Sequence, residues 1–538
     1  MSCCLPVSEW RKLCNVVGLA WAQARHGGKN TRRIDCSNPL KRTLVRPIGH
    51  KNTHTDLFAM NNSIDRRHSG PMSRLRWPLV ALTAVCLWLL IAVIPLVAFA
   101  QSSTTSTQSG HELSAHVIKT FGEPPAVPTG PLSDELKNAV DTVFVDSIAN
   151  GTWGRDQEIA LETINESGDP RIVWVVSDLM RFLTQPALNQ LMGESVTALL
   201  GITFEDGNYW GKTTDHLIAW DIPAPPDYLT YKRSLFTTFV PGWERIFVEG
   251  DIDWRHVSWG GVLIDNRPYD TTDELCNCIP AADNPPVSSA KDATWLKDDD
   301  IVFGVEVNGE FRAYPRRIME VREMVNDTLG GRNLGIPYCT LCGAAQAYFT
   351  DVLPDGVERP VLRTSGLLIR SNKVMYDITS HSVLDTFRGN AVTGPLADIG
   401  FKLTQASVVT TEWGRWKEAH PETTVLIEDL ALGRDFDFRN NRDADGPIFP
   451  VGDVDPRLSV HEDIVGVVNA DGQAVAFQRS KAMSALIKGD EVAVGDIRLQ
   501  LAGGGIKASN SSGDELGSHQ AFWFAWSQFH PETELWPM

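Results

Sequence analysis

Trp413-Gly-Arg-Trp416-Lys-Glu-Ala-His420-Pro-Glu-Thr423 returns as Trp523-Phe-Ala-Trp526-Ser-Gln-Phe-His530-Pro-Glu-Thr533. Two Trp, a His-Pro and a Glu-Thr recur at identical spacing, so the chain contains an internal repeat. Trp at i and i+3 share one helical face, and Pro disfavours the α conformation in the residue before it. Each copy therefore reads as a short helix that stops at its His. A matching pair of segments lies upstream. Ile301–Val307, Asn308-Gly309 and Phe311–Tyr314 form alternating runs about a turn, as do Ile464–Val467, Asp471-Gly472 and Ala474–Phe477. Such turns accept positive φ and mark β-hairpins. The body therefore ends in two related β-rich units, 256–427 and 446–538, with an acidic linker at 428–445. The second unit is shorter, and what it lacks is the stretch where the first carries Cys339 and Cys342. Both copies keep His-Pro-Glu-Thr while one keeps the cysteines, so His420 and His530 are expected to pack rather than catalyse.

Upstream of these units the pattern is helical over 131–255. Leu136, Val140, Val143 and Phe144 share a helical face. Gly168-Asp169-Pro170 opens the next helix, with Asp169 as N-cap and Pro170 at the first position, where a missing N–H costs nothing. Ile172, Val175, Val176, Leu179 and Leu183 follow as a buried stripe, and the sequence entering this helix resembles the paired helices of HEAT-type repeats. The expected fold class is α+β: a helical, HEAT-like N-terminal domain followed by two related β-rich units. A helical array either scaffolds a protein partner or packs on its own neighbour, and both readings stay open.

Charge and hydropathy locate the body. Residues 1–100 hold 14 basic and 4 acidic side chains, so the remainder carries −28 to reach the net −18. Nucleic acid is excluded as a partner, since neutralising phosphates needs clustered Lys and Arg. Residues 77–100 carry no charge, follow Arg74 and Arg76, and end in Ala98-Phe99-Ala100. Residues 72–100 read as a signal peptide or signal anchor, the chain's one membrane contact, which places the body outside the cytoplasm. Residues 1–71 show no apolar periodicity and read as unstructured or as a misassigned start. Residues 101–130, rich in Ser, Thr, Pro and Gly, read as a linker.

The run GVEVNGEFRAYP (304–315), MVNDTLGGR (324–332), the Cys-x-x-Cys-Gly at 339–343, SGLLIRSNKVMYD (365–377), GNAVTGPLA (389–397) and TEWGRWKEAHPETTVL (411–426) resembles the family called domain of unknown function 3179. FPVGDVDPRL (449–458) and FWFAWSQFHPETEL (522–535) resemble the shorter unit that often accompanies it. The resemblance runs from roughly 277 to 538 and implies a recognisable domain with no established activity. Thr340 stands where family members often carry Pro, Arg322 where many carry His, and Leu384 where an aromatic is usual. The cysteine pair survives these departures.

Cys276, Cys278, Cys339 and Cys342 are the cysteines of the body. Cys-x-x-Cys brings two sulfurs within reach of each other or of one metal ion. Three readings remain open: structural disulfides stapling the Cys276 loop to the domain, a Zn or Cu site with His381 as an added ligand, or a thiol–disulfide redox centre. Asn326, Asp327, Arg370, Asn372, Tyr376 and Asp377 are the polar positions within the family motifs and, with His381 beyond them, fit either a cleft or turn and strand chemistry. Asn441-x-Asp443-x-Asp445-Gly446 copies half of a calcium loop but has Gly452 where a bidentate Glu is needed. The expected function is that of an extracytoplasmic binding or assembly protein with a structural or metal-holding Cys-x-x-Cys. A thiol- or metal-dependent oxidoreductase is the alternative.

Overall fold

The computed structural model describes residues 113–205, 207–271, 276–428 and 446–537. The stretches read as an unstructured or misassigned start (1–71), as a signal peptide or signal anchor (72–100) and as the calcium-loop half from Asn441 to Asp445 lie outside them. Among the described residues no helix is long and apolar enough to cross a membrane.

The helical region begins with Ala115–Phe121, inside the stretch read as a linker, where the Ser114 hydroxyl accepts the Val117 N–H. Asp169 caps as expected: its carboxylate accepts the Arg171 N–H and pairs with that guanidinium at 2.6 Å. Helix Val173–Met180 departs from the expected stripe. Every residue in it is buried, because Pro186–Leu200, Tyr209–Ala219 and Tyr228–Phe239 surround it. A helix enclosed on all sides is the centre of a bundle, whereas a stacked HEAT-type pair leaves faces for further repeats. Its one acid, Asp178, is neutralised inside the bundle by the fully buried Lys232 at 2.5 Å, with Tyr228 donating to the same carboxylate.

Five small sheets follow in a propeller-like arrangement, so the molecule is mixed α+β. Two of these sheets are the related pair. In the first, hairpin Ile301–Val307/Glu310–Pro315 is flanked by Val409–Glu412 on one side and, in parallel, by Thr424–Leu426 on the other. In the second, hairpin Asp463–Val468/Ala474–Gln478 is flanked by Ser518–Phe522 and, in parallel, by Glu534–Trp536. Helices Trp413–Ala419 and Trp523–Phe529 are the repeated Trp motif, and each ends at its His, whose N–H still reaches the Trp carbonyl. Trp416 Nε1 donates to Thr423 Oγ1 at 3.0 Å and Trp526 Nε1 to Thr533 Oγ1 at 2.9 Å, which explains the shared Thr. Each Trp ring also lies on a hairpin glycine. A Cβ at Gly304 would stand 2.3 Å from Trp416, and one at Gly466 would stand 2.1 Å from Trp526.

The units differ in what fills the space between hairpin and Trp helix. The second inserts one meander, Ala493–Val494 to Glu515–Leu516. The first inserts two sheets, one centred on Met324–Leu329 and Arg332–Cys339, the other on Leu362–Ile369 and Asn372–Asp377. The latter also takes in Val257–Trp259 from the start of the first unit.

Candidate functional site: a cysteine seam and an arginine-lined cleft

Cys339 ends strand Arg332–Cys339, the Cys342 N–H turns back to its carbonyl at 3.2 Å, and Ala344–Ala345 return antiparallel. The Cys-x-x-Cys is therefore a hairpin turn. Gly343 follows at φ +62, where a Cβ would strike Phe522 at 2.9 Å, so both conformation and space demand glycine. Phe522 belongs to the second unit, and its N–H donates to the Cys342 carbonyl at 2.9 Å. Neither cysteine is in a disulfide; both are buried and part of one apolar cluster with Ile464, Ala521, Trp523 and Trp526. The turn is thus the seam at which the second unit's core closes on the first.

The seam is polar on its other side. Cys339 and Cys342 both donate to the Ser371 carbonyl, at 3.6 and 3.5 Å, and Cys342 lies 3.7 Å from Asn372 Oδ1. Buried Lys373 donates to the Glu323 carbonyl and stands 3.7 Å from its carboxylate. Burial pulls the Lys373 ammonium below the usual lysine range, against the pull of Glu323. Burial would raise the Cys339 thiol, but hydrogen bonds from Cys342 and from the Lys373 amide outweigh it and hold the thiol below its ordinary value. No helix begins at the turn, so the dipole that activates many reactive cysteines is not available here.

Cys276 and Cys278 are disulfide-bonded to each other, not to the domain as the stapling reading had it. The loop is held instead by charge. Asp265 pairs with Arg267 at 2.7 Å and accepts the Ala281 N–H at 2.8 Å, and Arg363, with no exposed surface, pairs with Asp283 at 2.6 Å. Asp265, Cys276 and Cys278 present ligand atoms within 4.8 Å of one another, close enough to hold a metal ion. In the bonded state the sulfurs occupy each other and the carboxylate is taken by Arg267. The two cysteine pairs do not converge. Among the described residues the group able to hold an ion is Asp265 with Cys276 and Cys278, and neither Cys339 nor Cys342 belongs to it. The four-sulfur metal site is therefore not formed.

Most of the other polar candidates are occupied in the framework. Asn326 bridges Asp283 and the Leu362 backbone, and Asp327 takes Arg312 and Tyr314. Tyr376 donates to the Asp265 carbonyl, Asp377 caps the turn at Ser380, and His381 meets Arg245 rather than a cysteine. Asn372 is at the seam. Arg370 is different: it lines a hollow of about 500 Å³ with Asp253, His256, Asp385, Arg388, Asn390 and Gln528. This cleft draws on the helical region, the first unit and the second, and among the candidates Arg370 alone reaches it. Its other walls are spread over nearly 280 positions of chain, and no local sequence pattern links them.

Residues 276–512 match a protein-family model described as a protein of unknown function, DUF3179. No curated protein and no solved structure matches the chain.

Proposed function

We propose, on the premise that residues 276–512 form a domain of the DUF3179 family, that this is an extracytoplasmic binding protein whose ligand occupies the Arg370 cleft. The observation that carries this reading is the Arg370-Ser371 turn. Arg370 lines the hollow, and the next carbonyl takes both cysteine thiols. The buried dithiol is then a buttress that fixes one wall of the cleft. Small-molecule sites are concave, few, and placed where structural units meet. An exported location is supported by the uncharged 77–100 segment ahead of the −28 body and by the Cys276–Cys278 disulfide, which suits an oxidising compartment.

The test is a thermal-shift screen of small molecules on the full chain, beside an Asn390→Trp variant that fills the hollow. At least one chemical class should raise the melting temperature of the native chain and leave the variant unmoved. No shift with any class, or equal shifts in both proteins, refutes the reading.

A thiol or metal role for Cys339 and Cys342 is the second reading, favoured by the lowered thiol and the nearby ammonium of Lys373. Thiol counting separates the two. A buttress leaves both thiols unreactive until the chain unfolds, whereas rapid alkylation of Cys339, or zinc or copper released by a chelator, favours the second.

A further inference from the structure

We infer that the ligand of this cleft carries an oxyanion, a carboxylate or phosphate, and that Arg370 receives it. The inference rests on the binding reading above and names the ligand's chemical class.

Arg370 sits at φ +53, in the left-handed region where a non-glycine side chain is strained. Its N–H donates to the His256 carbonyl at 2.7 Å, which pins the turn to the short 3-10 turn Trp254–His256. Glycine would adopt this backbone freely, so a side chain held here at a conformational cost needs another reason. The guanidinium offers one. Among the described residues it makes no hydrogen bond and no ion pair within 4 Å, although burial has already drawn its pKa below the arginine range. No Arg370 nitrogen is sealed from solvent, so its donors face the open hollow, where a bound acceptor would meet them.

The rest of the lining points the same way. Gln528 Nε2 is buried at the cleft without a hydrogen-bond partner. Arg388 adds a second guanidinium, steadied by the Phe529 carbonyl at 2.5 Å. Of the three acids in the lining, Asp251 is exposed to solvent and the other two are engaged. Asp253 accepts both prongs of Arg255, and Asp385 accepts the N–H groups of Phe387 and Arg388 while burial raises its pKa towards the neutral form. Arg388 also stands 3.9 Å from Asp385, so Arg370 is the guanidinium of the lining that has no carboxylate on it. A planar carboxylate or a phosphate is the group that a guanidinium fork and an amide N–H satisfy together. A volume of about 500 Å³ leaves room for an organic body behind that group.

Calorimetric titration of the full chain tests this with inorganic phosphate and succinate as probes and succinamide as the uncharged control. At least one anion should bind at one site per chain, and succinamide should not. Phosphate alone would identify the oxyanion as a phosphate, and succinate alone as a carboxylate. Arg370→Gln should weaken binding at least tenfold. Arg370→Gly removes the guanidinium and relaxes the backbone together, so it should lose binding while keeping or raising the melting temperature, an outcome that a merely structural arginine would not give. Anion binding that is unchanged in both variants overturns the inference, as does its absence in the native chain. If uncharged compounds bind and Asn390→Trp excludes them, the oxyanion assignment fails and the binding reading stands. If nothing binds, both fail.

Discussion

Replacing Gly466 by alanine in the second unit puts one methyl group against Trp526 at 2.1 Å from Cζ3, where carbon atoms normally rest about 3.5–4.0 Å apart. The ring cannot easily retreat. It is 1% exposed, its Nε1 is bonded to Thr533, and His530 and Phe387 stand beside it at ring separations of 4.2 and 6.2 Å. Overpacking of this kind costs about 1–3 kcal/mol, and the depth of the overlap places Gly466→Ala at the upper end. Trp526→Ala removes the ring and costs about 3–5 kcal/mol. Once the ring is gone the methyl group has room, and alanine in a strand is about 0.5 kcal/mol better than glycine. The double variant should therefore be no less stable than Trp526→Ala alone, a coupling of about 3 kcal/mol. Urea unfolding followed by circular dichroism, with m-values checked for constancy, measures the cycle. Costs that add to within about 0.5 kcal/mol would show that Gly466 is not the floor of the Trp526 ring.

Three further outcomes follow from the charges and the disulfide. Arg363→Met should cost about 3–5 kcal/mol in denaturant unfolding, because it strands the fully buried Asp283 carboxylate; a cost below about 1 kcal/mol would mean that the ion pair is dispensable. Burial holds His519 at a pKa of about 3, and burial beside Arg388 does the same to His530. The unfolded chain protonates these rings below about pH 6.5 and the fold does not, so stability is full above that pH and is lost as pH falls towards 3, with His519 accounting for about 2 kcal/mol by pH 5. Melts of native and His519→Gln chains between pH 7 and 5 check this, since the variant should have the flatter profile. Cys276→Ser should cost no more than about 1–2 kcal/mol, because the bond closes a loop of three residues and Asp265 with Arg267 holds the segment. A larger loss in its thermal melt would move the anchor from the ion pairs to the disulfide.

The repeat was the most legible part of the molecule, because one packing solution is written twice. Trp, His-Pro and Thr are each explained by contacts local to the motif, and the hairpins announce themselves through Asn-Gly and Asp-Gly. Gly304 and Gly466 stood in plain view inside the quoted strands, yet their role needs a ring from more than a hundred residues away in the first unit and sixty in the second. Helix Val173–Met180 misled because its apolar stripe is real but not the whole burial: Trp174, Asp178 and Met180 lie on its remaining faces, and Asp178 is tolerated inside only through Lys232. At the cysteines the motif disclosed a tight turn but not its neighbours. Ser371, Glu323 and Phe522 come from three separate strands or turns, and Cys276 chose the partner two residues away. Arg370 could be singled out as a polar motif residue, while its left-handed backbone and unmet guanidinium are visible only in three dimensions.

The seam also bears on what the peptide link between the two units is needed for. On one side, Asp215 of the helical region accepts the N–H groups of Val451 and Gly452 at 2.8 and 3.0 Å. On the other, Val408 donates to the Ser518 carbonyl at 2.8 Å, Gln405 meets His519 at 2.9 Å, and Phe522 caps the cysteine turn. These contacts do not pass through residues 429–445. A protease site engineered into that stretch should therefore yield a nicked protein whose two fragments co-migrate on gel filtration and separate only in denaturant. Expressed as two genes, the pieces would find each other as a heterodimer does, with the cysteine turn as the knob of one subunit seated in the core of the other.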